Sequence, residues 1–67
     1  MIHKIETHIC SYEVQGVEIK GQHDEVNDLI VTSHALWNDR VILDWHGRTI
    51  TVVASDLIKA VHNATNH

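Results

Sequence analysis

The stretch from Val41 to Val52, VILDWHGRTITV, limits what this chain can fold into more than any other part of it. Apolar and polar side chains alternate on both sides of His46-Gly47, and glycine supplies the positive φ that a tight two-residue turn needs at its second position. Folding there sets Leu43 opposite Ile50 and Val41 opposite Val52 on one face. The other face then pairs Asp44 with Thr49 and Ile42 with Thr51. Turn chemistry and pattern agree, so the sequence predicts strands over Arg40–Trp45 and Arg48–Val53.

The strand before this hairpin, Leu29 to Trp37, can join it by a two-residue loop, Asn38-Asp39, or a three-residue loop, Asn38-Asp39-Arg40. The longer loop aligns Trp37 with Val41 and Ala35 with Leu43, which keeps Leu29, Val31, Ala35 and Trp37 on the Leu43 face. Register follows the face that is to be buried, so the three-residue loop is expected. It also sets His34 opposite Asp44.

Upstream, Ile2 to Val14 and Val17 to Lys20 are strand-like and meet at Gln15-Gly16. A two-residue turn there pairs Val14 with Val17 and Tyr12 with Ile19. It also places Glu13 against Glu18, a mildly unfavourable like-charge pair. Downstream, Ser55 is a good N-cap, Asp56 suits the positive end of a helix, and Leu57, Ile58, Val61 and Ala64 form an apolar stripe. So short a helix is not stable alone and has to lie on the sheet. The expected fold is α+β: a small antiparallel β-meander of about five strands with one C-terminal α-helix packed on one face. The abundance of Ile and Val and the absence of Phe and Pro favour the sheet.

With 67 residues this is at most one domain, spanning 1–67, of a size that buries only about 60% of its unfolded surface. Chains of that size commonly need disulfides, a metal or self-association. Cys10 is the only cysteine, so an internal disulfide is excluded. The first ten residues, MIHKIETHIC, lack the apolar run of a signal peptide, and no window approaches the about 18 apolar residues of a membrane span. A cytoplasmic location with no membrane association is the expectation.

The formal net charge is −4, and all of the excess lies in one segment. Glu13, Glu18, Asp24, Glu25 and Asp28 face a single base there, Lys20, while the remaining four acids and four bases cancel. No basic patch is available to hold phosphates, which argues against direct nucleic-acid binding. An acidic segment suits a protein partner with a basic surface, drawn in by electrostatic steering.

Chemistry-bearing residues are sparse. In the expected register His34, Asp44 and Thr49 form a polar row, the material of a general base and a nucleophile. An open sheet face offers neither a cleft nor oxyanion donors, however. The row is better read as an ordinary cross-strand set, and no catalytic residue is assigned. The seven histidines form no CxxC, HxxxH or HExxH, so no metal or other cofactor is expected. The face carrying the row is too apolar to be simply solvated, because Ile30, Leu36, Ile42 and Val53 accompany it. Contiguous exposed apolar surface usually marks an interface. Either a second copy or a partner covers this face, or residues 1–20 fold over it.

The reading that follows is a small acidic, non-catalytic protein-binding module, with a homodimer or higher homo-oligomer expected. Small acidic chains of this type are often accessory regulators or inhibitors, including those of phages and mobile elements. The partner surface would comprise Glu13, Glu18, Asp24, Glu25 and Asp28 with Ile30, His34, Leu36, Ile42 and Asp44. An alternative is a binder of a nucleotide-like anion at an oligomer interface, using Tyr12, Arg40, Trp45, His46 and Arg48. A small hydrolase built on His34, Asp44 and Thr49 is the third reading.

Overall fold

The computed structural model of the chain describes residues 4–18 and 25–66. Asp24 and the expected Tyr12–Ile19 pairing therefore lie outside the described residues. The strands are β1 (Glu6–Ile9), β2 (Glu13–Val14), β3 (Val17–Glu18), β4 (Leu29–Ser33), β5 (Arg40–Trp45) and β6 (Arg48–Val53). A 3-10 turn, Glu25–Asn27, precedes β4, and the helix α1 covers Ala54–Thr65. All strand pairs are antiparallel. One sheet has the order β1-β4-β5-β6, and β2 and β3 form a separate two-stranded hairpin. The fold is α+β, as the pattern of the sequence predicts.

Both two-residue turns form as expected. His46 and Gly47 have φ of 54° and 79°, and Gln15 and Gly16 have 52° and 78°, the left-handed pairs that match the twist of a tight hairpin. The β5–β6 register is the expected one, with Leu43 facing Ile50 and Val41 facing Val52. The β2–β3 turn keeps Val14 on Val17 and accepts the Glu13–Glu18 pair.

The β4–β5 junction differs from the sequence reading. Ile30, not His34, faces Asp44, and Val31, not Ala35, faces Leu43. Residues 34–39 form the connection instead of continuing the strand. His34 holds that connection by accepting backbone N–H bonds at Nδ1 from Leu36 (3.1 Å) and Trp37 (3.2 Å). A side chain thus replaces the strand partner that these amides would otherwise need. Trp37 lies under the Arg40 guanidinium, 4.7 Å from it, and not on the sheet. Asp39 sits 3.7 Å from Arg40 Nε.

In the N-terminal segment, β1 joins the sheet as a strand and does not lie across a face. β1 adds to the free side of β4, and Ile5 extends the pairing by exchanging bonds with Ser33: Ser33 N donates to Ile5 O, and Ile5 N donates to Ser33 Oγ. At the other end, α1 begins without a loop. Val53 is both the last residue of β6 and the helix N-cap, and it makes no side-chain capping bond. The start is therefore earlier than the expected cap at Ser55. Asp56 does lie in the first turn.

α1 packs on the sheet through β6, with Leu57 half-buried. The sheet has two distinct faces. Leu29, Val31, Val41, Leu43, Trp45, Ile50 and Val52 share one; Ile30, Thr32, Ile42, Asp44, Thr49 and Thr51 share the other. Among the described residues no apolar side chain is fully buried. The radius of gyration is 13.6 Å, whereas a compact chain of this length has about 11 Å.

Candidate interaction surfaces and a polar cluster

The Leu43 face holds a concavity of about 540 Å³ lined by Leu29, Leu43, Trp45, His46, Arg48 and Ile50. The residues of the His46-Gly47 turn are held in place by Asn27. Trp45 Nε1 donates to the Asn27 carbonyl (3.2 Å), and His46 Nε2 donates to Asn27 Oδ1 (2.9 Å). The Ser11 hydroxyl donates to the same carbonyl, so one residue joins the β1 end, the 3-10 turn and the β5–β6 turn. The Trp45 and His46 rings lie 4.0 Å apart between centroids, tilted by 35°. Sequence reasoning passed over Asn27 because it falls in a polar stretch with no periodicity.

The Ile42 face holds a second concavity of about 510 Å³, lined by Lys4, Glu6, Thr32, Ser33, Ala35, Ile42, Asp44 and Thr49. Ile42 and Ala35 are its apolar lining, and its charged lining is Glu6, Asp44 and Lys4, with Lys4 Nζ 4.0 Å from Glu6 Oε1.

Beside this concavity is a polar cluster that the sequence reading did not find. His8 Nε2 lies 3.3 Å from Glu6 Oε2, and His8 Nδ1 lies 3.5 Å from Asp28 Oδ2. Asp28 is only 3% exposed and is the one buried residue among those described. The Glu6 carboxylate raises the His8 pKa above its ordinary 6.5; partial desolvation opposes this, and Asp28 reinforces it. With a carboxylate at each nitrogen, the imidazolium is the favoured form. The signal that could have revealed the cluster is the Glu6–x–His8 spacing, which puts both side chains on one face of a strand. Asp28 joins them only through the β1–β4 pairing.

The expected partner surface is brought together only in part. Ile30, Ile42 and Asp44 share the Ile42 face. Glu13 and Glu18 oppose each other on the separate β2–β3 hairpin. Asp28 faces His8, and Glu25 opens the 3-10 turn. His34 and Leu36 belong to the 34–39 connection, where Leu36 is 81% exposed. The row His34–Asp44–Thr49 does not form, because Ile30 occupies the position facing Asp44.

Of the expected anion-binding set, Trp45, His46 and Arg48 line the Leu43-face concavity together. Arg40 stands at the opposite end of the β5–β6 hairpin and on the other face, so the two arginines cannot clamp one anion. Tyr12 is exposed beside β2. Among the described residues no three His, Cys, Asp or Glu side chains are placed to hold a metal ion, and no helix is long and apolar enough to cross a membrane. Comparison of the chain with protein families, curated proteins and solved structures finds no match.

Proposed function

We propose that this chain is a non-catalytic protein-binding module that docks a partner with a basic surface on its Ile42 face. The observation that carries this reading is the 510 Å³ concavity, which combines apolar lining with two carboxylates, Glu6 and Asp44, against the single cation Lys4, itself 4.0 Å from Glu6. Apolar contact there supplies affinity, and the carboxylates supply steering and register. The acidic β2–β3 hairpin adds to the same sign of field. A regulator or inhibitor working in this way would occupy a basic surface of the sort that nucleic acid otherwise occupies.

Affinity purification of the tagged chain from a native lysate, followed by mass spectrometry, tests the reading. A basic protein is expected at low salt, lost on raising the salt and lost with Asp44→Lys. Recovery of nothing at low salt, or of the same proteins with Asp44→Lys, rejects it.

A second reading is favoured by one observation, the convergence of Trp45, His46 and Arg48 on the Leu43-face concavity. Stacking, hydrogen bonding and a cation are the requirements of a nucleotide-like anion. Such a ligand raises the melting temperature when present well above its Kd. An unchanged Tm with millimolar nucleoside monophosphates removes this reading.

A further inference from the structure

We infer that the Leu43 face is the seam of a homodimer, in which each copy receives the Ile58–Val61 ridge of the other copy's helix. The inference does not depend on the partner proposed above, because it leaves the Ile42 face open; it competes with the nucleotide reading, because the helix ridge would fill the same concavity.

The area argument comes first. A folded monomer of 7.6 kDa is expected to expose about 4,300 Å². This chain exposes 5891 Å². The excess of roughly 1,600 Å² per chain, doubled in a symmetric pair, falls in the 2,000–5,000 Å² range of obligate homodimers. A second copy laid over the exposed apolar side chains would remove this surplus.

Shape then says which surfaces meet. The Leu43-face concavity is lined by Leu29, Leu43, Trp45 and Ile50, and Ile50 is 60% exposed, so the chain's own helix does not fill it. The same chain carries a ridge it does not use. Ile58 and Val61, three residues apart on one side of α1, are 69% and 55% exposed. A two-fold axis pairs groove with ridge twice and closes the assembly at two copies.

Charge decides between the faces. A symmetric contact through the Ile42 face would have to take the charged side chains that line it, Lys4, Glu6 and Asp44, out of water. The Leu43 groove has only Arg48 and His46 as polar lining, both at its turn end. Self-association therefore favours the Leu43 side.

Sedimentation velocity on the full chain gives the stoichiometry, with a dimer expected that dissociates on dilution. Trp37→Phe leaves Trp45 as the only tryptophan, and its emission should shift to the blue as the dimer forms. Val61→Glu should weaken association at least about tenfold, since it places a charge at the centre of the seam. Because that variant could unfold instead, a second measurement uses unperturbed packing. In a Cys10→Ser background, the Ile50→Cys chain mixed with the Val61→Cys chain should cross-link through a short bis-maleimide. A chain that stays monomeric with native circular dichroism overturns the inference. So does a dimer in which Trp45 emission is unchanged and residues 50 and 61 do not cross-link, as pairing through the free β6 edge would give. Asp44→Lys should leave the dimer intact, so loss of the partner and loss of the dimer are read separately.

Discussion

Asn27 and His8 each tie together segments that are distant in the chain. Asn27→Ala removes the Oδ1 acceptor for His46 while leaving the backbone carbonyl for Trp45 and Ser11. Because that bond is exposed, the expected cost is at the low end of a hydrogen bond's worth, about 0.5 kcal/mol in urea denaturation. The matching loss in His46→Ala should be non-additive with it, since both variants remove the same contact. His8 makes a pH prediction. Its folded pKa is raised above the unfolded value of 6.5, chiefly by Glu6. The stabilisation it brings is therefore complete below the unfolded pKa and lost as pH rises through the folded pKa. The Tm of the wild-type chain should exceed that of His8→Asn most below pH 6.5, and the gap should narrow as pH rises through the raised folded value. A constant gap across that range would show that the charge on His8 is immaterial. Neither residue stands out in the sequence: Asn27 has no periodic neighbours, and His8 gains Asp28 only through long-range pairing.

At the level of elements, the two hairpin turns are the most demanding local features. Gly47 has a φ of 79°, and a Cβ there would meet open space, so the penalty of Gly47→Ala is backbone strain alone. A loss of about 1–2 kcal/mol is expected, less with Gly47→Asn, because asparagine tolerates the left-handed region better. The helix offers the opposite experiment. Val53 caps α1 without a side-chain bond, so Val53→Thr keeps a β-branched strand residue and adds a capping hydroxyl. A gain of about 0.5 kcal/mol is expected, read as a higher urea midpoint. The β5–β6 register was legible because a two-residue glycine turn permits one alignment only. The β4–β5 register was not, for a specific reason. The observed alignment differs from the expected one by four residues, and an even slip leaves every side chain on the same face. Face arguments cannot separate such alternatives. The length of the 34–39 connection decides between them, and that length depends on His34 accepting two backbone amides. The expected polar row failed with the register, whereas Trp45, His46 and Arg48 converged because they depend on the hairpin alone.

At the level of the whole molecule, the described residues form a four-stranded sheet, a separate two-stranded hairpin and a helix packed on the edge strand β6, and the surface exceeds what the mass requires. If a second copy supplies the missing contacts, stability becomes a function of protein concentration. The melting temperature should rise as the chain is concentrated, whereas a self-sufficient monomer would show no such trend. Differential scanning calorimetry over a hundredfold concentration range decides between these. The junction at Val53 adds a mechanical consequence. Because β6 runs into α1 without an intervening loop, the helix direction follows from one pair of backbone dihedrals. A rotation of roughly 20° at that hinge swings the far end of a 12-residue helix, about 18 Å long, by about 6 Å. α1 is in effect a pointer fixed to the outermost strand, and whatever bends the edge of the sheet is amplified at its tip.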